Sequence, residues 1–575
     1  METLSSSFLA TPLVFPPHHS SDLNYVSSSF RFSAKSPHHQ PNYFNPNSFT
    51  LIFNPINKLL NHTAQTLKSK QPVAQKIINK KQSSSLASIF QTLDDLVCNF
   101  LDLPLRPSVD PKYVLSGNFA PVDELPPTPC EVVEGSLPSC LDGAYIRNGP
   151  NPRFIPPGPY HLFDGDGMLH MIRISRGEAT FCSRYVKTYK YMVEQEMGYP
   201  IFPRQFNPIR HGFGVANTSL ALFAGHLFAL CESDIPYEIK VTPDGDIVTI
   251  GRHDFQRKQQ GVVLQNDGTP ENRPRDWGSL CLQMPPFMAV PDVFQIRLRG
   301  KETQGCPNIL RGPTVTDFAA VTKSYAIFPD VQIVMNLLWI LRGRSPVGID
   351  SAKVPRLGVI PRYAEDESEM WWMDAPGFNM LHCFNAWEED GGDTIVMVAS
   401  NLVSVDQQSL ESVQLAQLIM EKLTINVKSK TLQRQPLSRR VLDFGVINPA
   451  YAAKKNRYVY AAVMESERWV GIVKLDLSLI VVDSSDCTLA SRFYEPGWFG
   501  GESFFVAREP NNPAADEDDG YLITYIHEEN GEGAKFLVID AKSPTLEIIA
   551  TVKLPRRVPY GLHGIFVFES DLNKL

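Results

Sequence analysis

Several features that would fix the class of this chain at once are missing from it. Its 575 residues contain nine cysteines but no Cys-x-x-Cys pair, so neither a disulfide framework nor a zinc site is encoded. The net charge of −8 and the pI near 5.9 leave no concentrated basic face for a nucleic acid. The most apolar stretch, Val331 to Leu341, is about half the roughly 20 residues that span a bilayer. We therefore expect neither a nucleic-acid partner nor a transmembrane helix.

The N-terminal segment lacks acidic residues. Between Asp22 and Asp94 there is no Asp or Glu, whereas eight Lys or Arg occur, and residues 1–84 are rich in Ser, Pro, His and Asn. Chloroplast transit peptides have this composition, and such a segment cannot form a packed core. Residues 1–84 are thus predicted to be a plastid transit peptide, the alternative being a disordered polar leader.

A short amphipathic segment follows this leader. Its apolar residues recur at helical spacing and share one stripe: Leu86, Ile89, Phe90, Leu93, Leu96, Val97, Phe100 and Leu101. Pro104 ends the periodicity. We predict an amphipathic helix within residues 85–107, and two roles stay open. The stripe either makes peripheral contact with a plastid membrane or plastoglobule, with the preceding lysines at the headgroups, or packs on the main domain.

From residue 108 onward the chain changes to short β-like runs separated by turn residues. The clearest runs are residues 226–231, 394–399, 458–464, 471–477, 521–527 and 536–539. Turn signals at residues 243–246, 390–393 and 519–520 leave no room for crossover helices. An all-β domain is predicted. About 470 residues of antiparallel meander are too many for one sandwich and suit a propeller, although no blade signature repeats at a fixed interval.

Two histidines stand in unusual local sequences. Five of the thirteen histidines lie in the leader, and most of the others have ordinary surroundings. His382 ends the string PGFNMLH (376–382), and His563 lies in PYGLHG (559–564). Four further strings are distinctive: NGPNP (148–152), FDGDGM (163–168), LDFGVINP (442–449) and GGE (500–502).

Together these strings resemble the motifs of the carotenoid cleavage dioxygenases, closest to the type-four plastid branch. The two histidine strings are similar to the third and fourth histidine motifs of that family, and the other strings occur in the family's order. The resemblance covers roughly residues 108–255 and 317–575. It implies a seven-bladed β-propeller with a helical cap, and Fe(2+) on the propeller axis.

In this family four histidines from separate blades hold the iron. The resemblance assigns His382 and His563 to two of these positions. Each imidazole needs an acceptor on its second nitrogen, and the carboxylates carried over from the family are Glu232, Asp443 and Glu502. For Asp443 a plain turn aspartate is the alternative. Four neutral imidazoles suit iron(II) and leave positions open for O2, so no catalytic base or nucleophile is expected.

The implied substrates are O2 and a carotenoid that enters an apolar tunnel. The type-four branch suggests cleavage at the 9,10 double bond, which gives an ionone-type ketone and an apocarotenal. An epoxycarotenoid dioxygenase on the route to abscisic acid is an alternative. A second alternative is a carotenoid-binding or plastid scaffold protein without catalysis.

One interval departs from the family. The family carries its first ligand in the string MTAHPKIDP, whereas this chain has DGTPENRP at residues 267–274. The nucleotides AT-GAC-GGC-ACA-CCC-GAA-AAT-CGA-CCC encode the printed octapeptide, and regrouped from the first letter they encode the family string. The same regrouping restores family sequence at residues 276–280 and 304–310.

We therefore interpret about 256–315 as a neighbouring-frame translation between two compensating shifts. Because two of four ligands are then lost, the chain with the sequence as printed, called the literal chain below, is expected to be inactive and to have disturbed inner strands. His226 and His253 are not expected to substitute for the lost ligands, and His161, His170 and His527 are expected to be structural.

This interpretation predicts the transcript. Sequencing the mRNA from codon 250 to codon 320 should reveal ATG-ACG-GCA-CAC in the reading frame of the flanking family motifs. If every read returns the printed residues instead, the gene-model explanation is wrong and the interval is a genomic lesion.

Overall fold

The computed structural model describes one large β-rich unit. The chain divides into two compact units, Met1–Ile78 and Asn79–Leu575, and every described residue belongs to the second. The described residues are 105–575 apart from 157–158, 201–213, 224, 232–233, 254–262, 266–277, 284–291, 298–319, 336–346, 363, 365–366, 404–416, 467, 480–485, 511, 530 and 532. The predicted transit peptide and the apolar stripe of the predicted helix lie outside them, and residues 105–107 are not helical.

The strands of the N-terminal part are short and closely spaced. In chain order they are β1 (Leu125–Gly135), β2 (Gly143–Pro150), β3 (Gly167–Ser175), β4 (Glu178–Tyr185), β5 (Ser219–Phe223), β6 (His226–Leu230), β7 (Tyr237–Val241) and β8 (Ile247–Arg252). The middle part continues with β9 (Val263–Gln265), β10 (Gly278–Gln283), β11 (Asp292–Arg297), β12 (Ala320–Val321), β13 (Tyr325–Asp330), β14 (Ile333–Met335), β15 (Val347–Ile349), β16 (Arg356–Pro361) and β17 (Trp371–Asp374).

The C-terminal part contains the longest regular runs. Its strands are β18 (Met380–Glu389), β19 (Thr394–Leu402), β20 (Leu418–Asn426), β21 (Thr431–Pro436), β22 (Val441–Val446), β23 (Tyr458–Glu465), β24 (Arg468–Asp476), β25 (Thr488–Phe493), β26 (Trp498–Phe499), β27 (Phe504–Ala507), β28 (Gly520–Glu528), β29 (Ala534–Asp540), β30 (Ile548–Lys553) and β31 (Gly564–Phe568). The α-helices of the described residues are α1 (Pro111–Val114), α2 (Tyr189–Met197) and α3 (Glu569–Leu572). Within the described part of the chain, none is long and apolar enough to cross a membrane.

The strands form successive antiparallel meanders. Four sheets have four strands each, in the orders β5 to β8, β12-β13-β16-β17, β18 to β21 and β22 to β25. A longer path runs β26-β28-β29-β30-β1-β4-β3-β2-β31, with β27 also paired to β28. β1 joins its two halves, because residues 131–135 pair with β30 and residues 125–130 pair with β4. Successive four-stranded meanders of this kind are the blades of a β-propeller. The number of seven blades and the helical cap stay predictions.

Apolar side chains fill the spaces between neighbouring sheets. One buried cluster joins Val396 and Met420 of the β18–β21 sheet to Leu442, Val459 and Val473 of the β22–β25 sheet. Such a layer removes the inner faces of the two sheets from water, and this burial stabilises the fold by about 25 cal/mol per Å² of apolar surface. The layers therefore fix how the sheets lie against one another.

Sequence expectations and structure agree in most of this domain. The six predicted runs correspond to β6, β19, β23, β24, β28 and β29, with ends that differ by three residues or fewer. Within 256–315, β9, β10 and β11 form a three-stranded antiparallel sheet, and the expectation that the inner strands of this interval are disturbed stays a prediction. The string DVFQIR of β11 contains Val, Phe and Ile, which favour strands.

Core packing predicts a contrast between two leucines. Leu423 on β20 is fully buried, whereas Leu489 on β25 is 48% exposed. Leu423→Ala should lower the free energy of unfolding by about 2–5 kcal/mol, because a cavity remains between two sheets. Leu489→Ala should change it by less than about 0.5 kcal/mol. Denaturant unfolding followed by circular dichroism measures both, and equal losses would contradict the core described here.

Candidate metal centre

His382 is fixed on β18 by hydrogen bonds at its backbone and at its ring. Its Nδ1 lies 2.9 Å from both carboxylate oxygens of Asp443. Its backbone N–H donates to Ser400 Oγ at 3.1 Å. The side chain of Asp443 is 4% exposed and that of His382 is 14% exposed. The pair therefore joins two neighbouring sheets through a nearly buried contact.

An irregular stretch of β22 presents Asp443 to the histidine. The register with β23 shifts between Asp443 and Val446, and Phe444 has a φ of 51°. A left-handed conformation costs a non-glycine residue about 1–2 kcal/mol and persists where the surroundings impose it. A Cβ on Gly445 would lie 2.5 Å from the Phe384 ring, so only glycine fits there. β-Bulges of this kind turn side chains toward functional sites.

His563 is held in the same way by Glu502. Its Nδ1 lies 2.9 Å from Glu502 Oε1, and the Gly564 N–H donates to Glu502 Oε2 at 3.0 Å. Glu502 precedes β27, which pairs with β28 at one end of the longest sheet path, and His563 precedes β31 at the other end. The hydrogen bond thus brings the two ends of that path together.

The two imidazoles face each other. Their ring centroids are 5.5 Å apart and their planes are nearly perpendicular, at 82°. A carboxylate accepts at Nδ1 of each ring, which assigns the proton to Nδ1 and the lone pair to Nε2. A metal ion binds imidazole through this lone pair, and a carboxylate on the other nitrogen holds the ring in place. His382 and His563 therefore have the chemistry of two metal ligands.

The pair forms only part of a complete ligand set. Among the residues that the structure describes, no group of three or more His, Cys, Asp or Glu side chains lies in a geometry that could hold a metal ion. The sequence contains no histidine between residues 254 and 381. Glu232, the third carboxylate predicted from the sequence, lies outside the described residues, and its role stays a prediction.

Two other histidines are buried beside cationic side chains. Burial, and then the nearby Arg147, lower the pKa of His527 to about 3. Burial, and then Arg147, also hold the pKa of His170 well below its usual range. The His527 ring lies edge-on to Tyr560, with centroids 4.6 Å apart, and the His170 ring stacks on Phe181. Both are therefore neutral components of the aromatic core.

His226 and His253 belong to a separate cluster on the β5–β8 sheet. Their Nδ1 atoms lie 2.8 and 3.2 Å from the two oxygens of Glu238. Their ring centroids are 5.3 Å apart, and both side chains are partly exposed. Glu238 thus connects these two rings to each other. His161, buried near Phe163, accepts a hydrogen bond from the Phe163 N–H at 3.3 Å.

An apolar cavity lies beside the chain segment that leads to His563. It is small, with a volume of about 40 Å³. The lining residues are mostly aliphatic or aromatic and include Val114, Leu115, Phe119, Leu162, Phe163 and Leu562. Tyr560, Gly561 and Leu562 precede His563 directly and contribute one wall. Such a lining suits a largely apolar ligand.

Comparison with known proteins decides the family. The family model RPE65, retinal pigment epithelial membrane protein, matches residues 119–568. This chain belongs to the RPE65, or carotenoid oxygenase, family. Members of the carotenoid oxygenase family use a metal cofactor, and the facing histidines lie inside the matched range.

Two plant relatives are similar over most of their length. The chain is 47% identical to "Probable carotenoid cleavage dioxygenase 4, chloroplastic" of Arabidopsis thaliana, with 99% of each chain covered. It is 44% identical to "9-cis-epoxycarotenoid dioxygenase NCED1, chloroplastic" of Oryza sativa subsp. japonica, over 85% of this chain and 81% of the relative.

Two solved structures share the fold of this chain. Cobalt-substituted Synechocystis ACO superimposes with a TM-score of 0.66 at 25% identity, and the match covers 80% of this chain and all of that chain. The lignostilbene dioxygenase of Pseudomonas brassicacearum gives a TM-score of 0.68 at 19% identity, over 79% and 98% of the two chains. The predicted all-β propeller class is thus confirmed.

The cluster of His226, His253 and Glu238, called the Glu238 cluster below, predicts a pH-dependent contribution to the stability of the fold. Burial raises the pKa of Glu238, but the hydrogen bonds with His226 and His253 lower it by more, so its pKa is below the ordinary value in the folded protein. A lowered carboxyl pKa stabilises the fold above the unfolded pKa of about 4.3, and this stability is lost as the pH falls through the folded pKa. Glu238→Gln should therefore cost less than about 1 kcal/mol at pH 7, because the cluster is partly exposed.

The measurement is the unfolding free energy of both proteins from pH 7 to pH 3. The difference between them should disappear at the acid end. Glu178→Gln, at the exposed start of β4, is the control and should show no such trend. Parallel curves for the original protein and Glu238→Gln at every pH would contradict the assignment.

Proposed function

We propose that the full carotenoid oxygenase site of this fold is an iron(II) centre that uses O2 to cleave a carotenoid double bond. The observation that carries the proposal is the pair of facing imidazoles, each held at Nδ1 by a carboxylate at 2.9 Å. His382 and His563 would each hold the iron through Nε2. Asp443 and Glu502 would orient these rings, and Glu232 would orient the ring of a further ligand.

The donor set suits iron as one of the borderline divalent metals. Neutral imidazoles suit borderline divalent ions and leave the charge of iron(II) uncompensated. The bound iron supplies the oxygen chemistry, whereas the protein supplies binding and orientation. The carboxylates fix the two rings before the metal arrives, so the rings need no reorganisation on binding. The proposal therefore needs no nucleophile or general base from the chain.

The residues present fit half of such a site. Two imidazoles do not fill the positions that the protein must supply around an octahedral ion, and the absence of histidine from residues 254–381 removes the segment expected to supply the others. We propose that the literal chain holds iron poorly and does not turn over. The complete site would belong to the protein translated in the restored frame.

The substrate is proposed to be a long apolar polyene. The names of the carotenoid-cleaving relatives support this proposal. The aromatic and aliphatic side chains next to residues 560–562 are of the kind that contacts such a ligand. A relative from Crocus sativus at 34% identity is named a carotenoid 9,10(9',10')-cleavage dioxygenase, which favours cleavage at the 9,10 bond. The rice relative, at 44% identity, supports epoxycarotenoid cleavage as the second candidate.

The site of action is proposed to be the plastid. The leader of residues 1–84 has the composition of a transit peptide, and the two plant relatives are named chloroplastic. Contact with a plastid membrane or plastoglobule through residues 86–101 would give access to a lipid-soluble substrate. Carotenoid binding without turnover is the function proposed for the literal chain if it accumulates.

The experiment compares the literal chain with the restored-frame chain, both purified after iron(II) loading. The restored chain should retain about one iron per molecule, because four imidazoles then surround the ion. The literal chain should retain less than about a tenth of that amount. Incubation with β-carotene and an epoxycarotenoid, followed by product identification, separates 9,10 cleavage from epoxycarotenoid cleavage.

Two variants of the restored chain serve as controls. His382→Ala should lose the iron and the activity, whereas His226→Ala should keep both, because His226 belongs to the Glu238 cluster. Stoichiometric iron and turnover by the literal chain would refute the proposed loss of function. Iron retention by His382→Ala would refute the assignment of the ligands.

A further inference from the structure

Asn148 connects the His563 segment to the beginning of β5. It lies on β2, and its side chain is fully buried. Its backbone N–H donates to the His563 carbonyl at 3.0 Å, and its own carbonyl accepts from the Leu562 N–H at 2.8 Å. These two bonds extend the pairing of β2 with β31 to the residues just before it.

The side chain of Asn148 holds a second segment. Its amide Nδ2 donates to the carbonyls of Ala216 at 2.9 Å and Ser219 at 3.1 Å. Between these residues, the Thr218 carbonyl accepts from the His563 N–H at 3.3 Å. The peptide groups on both sides of the His563 Cα are therefore fixed, one by Asn148 directly and the other by a segment that Asn148 holds.

The held segment is strained. Ala216 has a φ of 49°, a left-handed conformation that costs a non-glycine residue about 1–2 kcal/mol. Strain of this kind persists only where surrounding contacts determine the backbone. The amide of Asn148 supplies such a contact at the Ala216 carbonyl. Without this hydrogen bond, the backbone of residues 216–219 could relax, and the Thr218 carbonyl would move away from the His563 N–H.

Close packing leaves the His563 segment little other freedom. A Cβ on Gly561 would lie 2.7 Å from Arg147 Nε and 2.8 Å from the Asn148 carbonyl oxygen. A Cβ on Gly149 would lie 2.7 Å from the Gly561 Cα. β2 and the segment before His563 thus approach more closely than side chains would permit. A displacement of Asn148 would therefore also displace His563.

We propose that Asn148 is a positioning residue for the metal centre, which sets the place of His563 without contacting the metal. The proposal rests on the proposed function, in which His563 is a ligand. Glu502 controls the rotation of the His563 ring through Nδ1, whereas Asn148 controls where its backbone lies. Second-sphere contacts of this kind typically change metal affinity 10–100-fold when they are removed.

Asn151, in the same NGPNP string, is a matched control. It is 1% exposed, and its side chain also makes one accepted and two donated hydrogen bonds. These bonds go to the Val122 backbone at 2.8 Å and to the Tyr185 hydroxyl at 2.5 Å, not to the His563 segment. The two asparagines therefore have equal burial and bonding but different partners.

The test measures the affinity of the restored-frame chain for Co²⁺ by the change in visible absorption, together with the thermal midpoint. Asn148→Ala and Asn151→Ala should lower the midpoint to a similar extent, because each removes three buried hydrogen bonds. Only Asn148→Ala should weaken Co²⁺ binding, by about tenfold or more. Equal Co²⁺ affinities in the two folded variants would overturn the proposal.

Two further variants make the result unambiguous. In the original chain the Gly149 N–H donates to Asn148 Oδ1 at 2.9 Å, and the serine hydroxyl of Asn148→Ser can still accept this hydrogen bond. The serine side chain is too short to reach the carbonyls of Ala216 and Ser219. Asn148→Ser should show the same Co²⁺ loss and decides the test if Asn148→Ala does not fold. His563→Ala tests the proposed function separately. If His563→Ala leaves Co²⁺ affinity unchanged, the ligand assignment fails; if it lowers the affinity while Asn148→Ser does not, only the positioning role fails.

Discussion

The structure of this centre depends on hydrogen bonds between carboxylates and imidazoles that belong to different sheets or to different ends of one sheet path. Asp443 on β22 reaches His382 on β18, and Glu502 before β27 reaches His563 before β31. Each bond fixes a tautomer and a ring orientation at once. Because the partners come from separate strands, the packing of the sheets determines whether the two rings meet. The site is therefore a product of the whole propeller and not of one local motif.

Backbone strain and close packing are concentrated around these bonds. Phe444, next to Asp443, and Ala216, in the segment beneath His563, both adopt left-handed conformations. Gly445 and Gly561 stand where any larger residue would collide with a ring or with backbone. Such positions destabilise the chain locally, and the buried layers between sheets offset that cost. The Glu238 cluster differs, because His226 and His253 share a carboxylate within one sheet, and the described strands β6, β7 and β8 contain no left-handed non-glycine residue.

Much of this architecture was accessible from the sequence. Short apolar runs between turn residues located strands such as β19 and β28, because strands that are buried on both faces have nearly continuous apolar sequences. The resemblance to the family pointed to His382, His563, Asp443 and Glu502, which the structure brings together in two pairs. The bridging role of β1 and the long-range contacts of Asn148 could not be predicted, because they join residues at least 49 positions apart in the chain. Period alone also missed β9 to β11, whose strings are short.

The most direct test of this account is an experimental structure of the restored-frame chain with Co²⁺ soaked into the crystals, with the ion located by anomalous scattering. The account predicts one ion shared by His382 and His563, with Nε2 of each ring bound to it. Asp443 and Glu502 should remain on the Nδ1 atoms. Separate ions on the two rings, or rings turned so that Nε2 faces away from the other histidine, would contradict the central claim.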